Sequence, residues 1–155
     1  MKKLKNPWLG IEGYNCFGCA PHNPYGLKME FYVDGEELVS YWNPAEHFEG
    51  WKGVLHGGVQ SAMIDEMAEW TTHYHLKATC VTSKLEIKYK KSISTEEGKL
   101  TVRGKVNKIM RNVCVVDVTI LDAHGEVCTT GTAYMFSFKN TEGTKVIYRD
   151  LEFEE

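Results

Sequence analysis

The sequence predicts an α+β fold in which one long helix packs against an antiparallel sheet of about five to six strands. Three features predict it: an early hairpin pattern, one unbroken helical run, and a series of strand-like stretches after that run. From Leu27 the apolar residues alternate (Leu27, Met29, Phe31, Val33), and Asp34-Gly35 then supplies a tight turn into Leu38–Trp42. Past Pro44, a loop rich in glycine and aromatic residues leads to Leu55-His56-Gly57-Gly58, and no helix breaker follows until about His75. Stretches at roughly 79–91, 99–109, 112–122 and 126–138 read as strands, separated in part by Glu97-Gly98 and His124-Gly125. A single helix covers only one face of such a sheet, so the other face must meet solvent or a partner.

At 155 residues the chain suits one domain. Residues 1–26 form a lead-in interrupted by Pro and Gly and are expected to be irregular. Residues 27–138 carry the packed pattern, and 139–155 form a charged tail in which Val146, Tyr148, Leu151 and Phe153 offer local apolar contacts. With 43% hydrophobic and 25% charged residues the chain belongs with globular proteins, and a net charge of −3 gives no broad positive field for nucleic acid. No apolar run reaches the roughly 18 residues of a membrane span, and the basic start lacks the apolar stretch of a secretory signal. Five cysteines, an odd and mostly scattered set, argue against a disulfide framework and for a reducing, cytoplasmic setting.

The helical run carries the chemistry. With Gly57 as its start and 100° per residue, Gly58, Ser61, Asp65, Glu69 and Thr72 share one stripe, while Val59, Ala62, Met63, Met67 and Trp70 lie off it. So much of the remaining circumference is apolar that the helix is expected to be largely buried; its polar stripe then faces a site, the plain alternative being a solvated face. Glu66 sits about 100° from Asp65, whereas Glu69 shares its stripe. Two glycines at a helix N-terminus leave backbone N–H groups unhindered, which suits a developing oxyanion. A carboxylate on the same helix suits activation of water or direct attack on a carbonyl carbon, and together they suggest acyl transfer to water.

His56-Gly57-Gly58, with Asp65 at the ninth position after the His, resembles the hotdog-fold acyl-CoA thioesterases of the phenylacetic-acid-degradation and 4-hydroxybenzoyl-CoA type. The phrase Thr82-Ser83-Lys84-Leu85-Glu86-Ile87-Lys88-Tyr89 is similar to that family's strand after the helix. Cys16-Phe17-Gly18-Cys19 with Asn23-Pro24-Tyr25-Gly26-Leu27 is similar to the lead-in of one branch of it. The resemblance spans about residues 14–138. It implies that the Gly57 N–H polarises a thioester carbonyl, that Asp65 is nucleophile or general base, and that His56 orients the loop or the thioester. It implies that Thr82 holds water or Asp65, with Ser83 as the neighbouring candidate; Gly58, Gln60 and Trp51 complete the expected substrate-binding set. Relatives often place an Asn about six residues before the His, where this chain has Glu49-Gly50. The implied partners are an acyl-CoA substrate and further copies of the chain, as a homodimer or homotetramer, with no cofactor. The rival reading is a non-catalytic hotdog protein that binds acyl thioesters or lipids. A hydratase is the third, but the residues around His56 do not match that group's His-carboxylate phrase.

Asp65 lies eight residues beyond Gly57, about 12 Å along a helix axis, so one carbonyl cannot reach both groups of one helix. Two such helices packed antiparallel across a two-fold would face Asp65 of one with Gly57 of the other, so a shared site is expected.

Other constellations carry plainer readings. Cys16-x-x-Cys19-x-x-His22 has metal-ligand spacing, but no second pair accompanies it, so packed thiols are expected and no metal site is assigned. His73 and His75 are expected to cap the helix end. Lys84, Lys88, Lys90 and Lys91, with Arg103, Lys105, Lys108 and Arg111, either meet CoA phosphates or form a solvated face. Trp42, Phe48 and Trp51 either line an acyl pocket or close a core.

Overall fold

Strand alternation and one amphiphilic helix are enough to build the core. The structure, a computed structural model, describes residues 1–138 and 148–155. Its long strands are β4 (Thr79–Tyr89), β5 (Leu100–Met110), β6 (Val113–Leu121) and β7 (Val127–Phe138), preceded by β1 (Lys2–Lys3), β2 (Tyr32–Asp34) and β3 (Glu37–Trp42). The seven strands form one antiparallel sheet in the order β1-β2-β3-β5-β6-β7-β4. Val102, Val118, Ala133 and Met135 bury the face against which the helix α1 (Gly57–Leu76) packs Met63, Ile64 and Met67. Apolar area removed from water on both elements drives this packing.

Each end of α1 has a local cause. His56 stands at the N-cap and its side chain accepts from the Gly58 N–H; Lys77 ends the helix in the left-handed region at φ 48°, its N–H donating to His73 O at 3.0 Å. Among the described residues no helix is long and apolar enough to cross a membrane.

Three features differ from the sequence reading. Leu27, Met29 and Phe31 are buried as expected, but the strand begins only at Tyr32. Lys28 takes φ 54°, which breaks the extension, and Leu27 and Met29 donate instead to Phe17 O and Gly18 O of the lead-in at 2.7 and 2.8 Å. The sheet has seven strands rather than five to six, because Lys2–Lys3 of the supposedly irregular lead-in pairs with β2. The tail joins the same edge: Leu4 bridges Phe153, and Lys5 donates to Glu152 O at 2.8 Å. Leu151 packs on the core, while Val146 lies outside the described residues.

The helix approaches the sheet so closely at β5 that a Cβ on Gly104 would lie 2.5 Å from Thr71 Oγ1 and 2.7 Å from Met67 Cγ. Gly104→Ala is therefore expected to lower stability by about 1–3 kcal/mol through overpacking. A lower urea midpoint at unchanged slope would register it.

Candidate active site

The helix start is fixed from three sides. His56 N–H donates to Phe48 O at 3.0 Å, and His56 Nδ1 accepts from the Gly58 N–H at 2.8 Å, which places the ring proton of the neutral imidazole on Nε2. Tyr89 OH of β4 donates to Gly57 O at 2.8 Å and stands 2.7 Å from Ser61 Oγ, which itself donates to Gly57 O at 3.1 Å. The first turn is thereby held, while the Gly57 N–H has no acceptor among the described residues. An outward N–H at a helix N-terminus favours an anionic oxygen. Neither Tyr89 nor Ser61 was singled out as a site residue from the sequence; their meeting depends on β4 running back past the helix start.

Around this end, Trp42 and Phe48 close the core, their rings 5.2 Å apart, whereas Trp51 is 86% exposed. Gly50, Trp51, Val54, Leu55, His56 and Gly57 line an open cavity of about 480 Å³. Glu49 occupies the place before the His and accepts from Thr95 Oγ1 at 2.6 Å. Gln60 is 4% exposed and its amide is used internally: Nε2 donates to Leu55 O at 3.2 Å and Oε1 accepts from Thr129. These bonds anchor the helix start to β7.

Asp65, two turns further on, is half-buried and accepts a hydrogen bond from Thr82 Oγ1 at Oδ1. The β4–β7 register shifts between Thr82 and Lys84, so Ser83 is the bulged residue of the edge strand. A bulge re-aims neighbouring side chains. Here Thr82 reaches Asp65, and the exposed Ser83 makes no side-chain hydrogen bond among the described residues. The structure thus brings Thr82 to Asp65 and His56 to Gly58, but it does not bring Ser83 to the carboxylate.

A second polar cluster occupies another side of α1. Glu66 is 6% exposed, accepts from Trp70 Nε1 at 3.0 Å, and lies beside Cys16 and Cys19 of the lead-in. Together with Tyr14 and Glu69 they border a cavity of about 320 Å³. Burial, then the charge of Cys16, pushes the Glu66 carboxyl up to about 8; burial, then the charges of Glu66 and Asp65, pushes Glu69 up to about 8. Hydrogen bonding between the two free thiols holds Cys16 below the ordinary thiol value, and the same interaction together with burial raises Cys19.

The remaining polar residues find structural partners. His73 and His75 do not cap their own helix: His73 Nε2 lies 2.6 Å from Arg149 O of the tail, and His75 Nε2 lies 3.0 Å from Glu36 O in the β2–β3 turn. Lys84 pairs with Glu86, Lys91 with Asp122 and Glu126, and Arg103 with Asp34 and Glu37. The exposed Lys88, Lys90, Lys105 and Lys108 have no carboxylate partner among the described residues.

Residues 52–129 match the family model of the thioesterase superfamily. No curated protein matches the sequence significantly. Among solved structures, a thioesterase from Haemophilus influenzae is 19% identical with TM-score 0.68, covering 76% of this chain and 82% of its own. A phenylacetic acid degradation-related protein, a thioesterase by description, from Ralstonia eutropha is 24% identical with TM-score 0.66, covering 77% and 92%. A hypothetical thioesterase from Streptococcus pneumoniae, solved with coenzyme A, is 23% identical with TM-score 0.66, covering 72% and 86%. At these identities the likeness is one of fold: the long helix wrapped by an antiparallel sheet is the hotdog fold.

A carboxyl whose folded value is raised contributes stability that is fully present below its unfolded value, 4.5 for Glu69, and is lost as pH rises through about 8. Glu69 should therefore take stability away from the wild type between about pH 4.5 and 8, so relative to the wild type Glu69→Gln should gain stability across that window. Urea midpoints measured at half-unit pH steps check it, and parallel curves for the two proteins would contradict it.

Proposed function

The chain belongs to the thioesterase superfamily, and on that premise we propose that it hydrolyses an acyl- or aryl-CoA thioester to the free acid and CoA. The observation that carries this reading is a single helix with an open N–H at Gly57 and a carboxylate at Asp65 whose orientation is set by Thr82. Asp65 either removes a proton from water or adds to the carbonyl carbon itself; in both cases negative charge grows on the carbonyl oxygen. The Gly57 N–H, at the positive end of the helix dipole, is suited to receive that charge. The thiolate of CoA then leaves, and water supplies the oxygen of the acid. His56 presents Nε2–H beside the same cavity as Trp51, consistent with a role in holding the thioester. Lys88, Lys90 and Lys108 offer positive charge for the CoA phosphates, the ligand class carried by the Streptococcus pneumoniae neighbour.

Gly57 and Asp65 of one helix stand too far apart for one carbonyl, which argues for a site shared between two copies. The sheet supports this. Its β1 edge is two residues long, but β4 is eleven, and among the described residues no strand pairs with its outer backbone groups, which suits a second β4. Pairing there would carry the partner's helix start toward the Asp65–Thr82 pair. The rival reading, a protein that binds acyl thioesters without cleaving them, is favoured by one observation: the chain has Glu49-Gly50 where relatives often carry an amide for the attacking water, and Glu49 is held by Thr95.

Two experiments decide between them. A panel of short, medium, long and aromatic acyl-CoAs, read with a thiol reagent against an enzyme-only blank, is expected to show CoA release for at least one substrate. Asp65→Asn should lower kcat at least about 100-fold while Glu69→Gln costs much less. Binding without release across the panel would replace the hydrolase with the binder. Mixing Asp65→Asn with Gly57→Pro chains tests the shared site. Proline is tolerated at a first helical position but deletes the N–H, so exchanged heterodimers should regain activity above either parent. Exchange confirmed by mass with no recovered activity would refute it.

A further inference from the structure

The second cluster on α1 has the chemistry of a metal site. Cys16 Sγ, Cys19 Sγ and a Glu66 oxygen all lie within 4.8 Å of one another. Cys16 Sγ stands 3.6 Å from each Glu66 oxygen. Tetrahedral zinc holds sulfur at about 2.3 Å and carboxylate oxygen at about 2.0–2.2 Å, which sets a thiolate and a carboxylate on adjacent corners about 3.6 Å apart. We propose that Cys16, Cys19 and Glu66 bind a divalent cation of the zinc class, with the fourth coordination position turned toward the adjoining cavity.

The surroundings are built for this cluster. A Cβ on Gly18 would lie 2.3 Å from the Glu66 carboxyl carbon, so only glycine lets the Cys16–Cys19 loop close over the carboxylate. Trp70 Nε1 donates to Glu66 Oε1 at 3.0 Å, and Asn6 Nδ2 donates to Cys19 O at 3.1 Å; groups behind the ligands fix their orientation. Three thiols, those of Cys16, Cys19 and Cys80, and three carboxyls, those of Glu12, Glu66 and Glu69, border a cavity whose lining contains His73 but no Lys or Arg. A cation there would offset acids that no Lys or Arg of the lining meets.

The structure also explains why Cys16-x-x-Cys19-x-x-His22 is misleading as a ligand set. His22 is exposed and its Nε2 lies 2.6 Å from Tyr14 O, so it takes no part. The third ligand comes from 50 residues away, on the helix. A metal held there would pin the lead-in to α1 beside Asp65. This inference stands apart from the hydrolase reading, since its test reads metal and not turnover.

The full-length chain, without a histidine tag, is purified in a phosphine reductant with no chelator, from cells grown with added zinc. Elemental analysis should find about one zinc per chain, falling below about a tenth in Cys16→Ser/Cys19→Ser. The stripped protein titrated with cobalt(II) should give a saturable sulfur-to-cobalt charge-transfer band and tetrahedral visible bands at one equivalent. Glu66→Gln, which keeps both thiols and the volume of the side chain, should weaken cobalt binding at least about tenfold. Absence of stoichiometric zinc together with absence of the cobalt–thiolate band in reduced protein overturns the site. Equal metal in the double-serine variant, or unchanged affinity in Glu66→Gln, overturns it as well.

Discussion

Helix α1 lies where the sheet covers one side and the lead-in another, so a polar side chain that it buries is costly unless it finds a partner or faces a ligand. That constraint organises the molecule. Gln60 divides its amide between Leu55 O and Thr129; Asp65 takes the Thr82 hydroxyl; Glu66 takes the Trp70 indole and sits against two thiols. Removing one of these partners leaves a buried acceptor unmet, which costs more than the bond itself contributed. The helix is therefore locked in rotation as well as in place.

Locking the helix also sets which backbone groups stay open. His56 uses its Nδ1 on the Gly58 N–H, and Tyr89 and Ser61 hold Gly57 O, so the Gly57 N–H is left without an acceptor among the described residues at the start of the first turn. The edge strand β4 takes part at both ends of this stretch, with Tyr89 at the helix start and Thr82 at Asp65. Since β4 runs antiparallel to its sheet neighbour β7 and is the last strand of the sheet among the described residues, the groups that orient the chemistry belong to the strand best placed to meet a second chain.

Much of this was legible in the sequence because it rests on local periodicity. The helix from Gly57, the turn at Asp34-Gly35 and the four long strands follow from spacing alone, and the stripe containing Asp65 follows from 100° steps. The misses share a different origin. Alternation at Leu27, Met29 and Phe31 was real, yet their backbone bonds went to Phe17 and Gly18, a pairing invisible to any short window. The bulge at Ser83, which decides that Thr82 and not Ser83 meets Asp65, is set by register against β7. Glu66 looked like one more carboxylate on a helix. Its environment is made by a loop 50 residues earlier, and the only sequence trace of that meeting is the glycine between the two cysteines of the lead-in.

Adjacent residues on a helix point about 100° apart, and on α1 this separates two chemistries by one step of the chain. Asp65 looks toward β4 and the open edge, where a hydroxyl orients it and a second copy can approach. Glu66 looks toward the lead-in, where sulfur and indole surround it. Neither carboxylate can serve the other's site without turning the helix, and the packing of Met67 and Thr71 against Gly104 forbids that turn. Whatever fixes Glu66 to the lead-in therefore also fixes the direction of Asp65, through a rigid helix and without any contact between the two side chains.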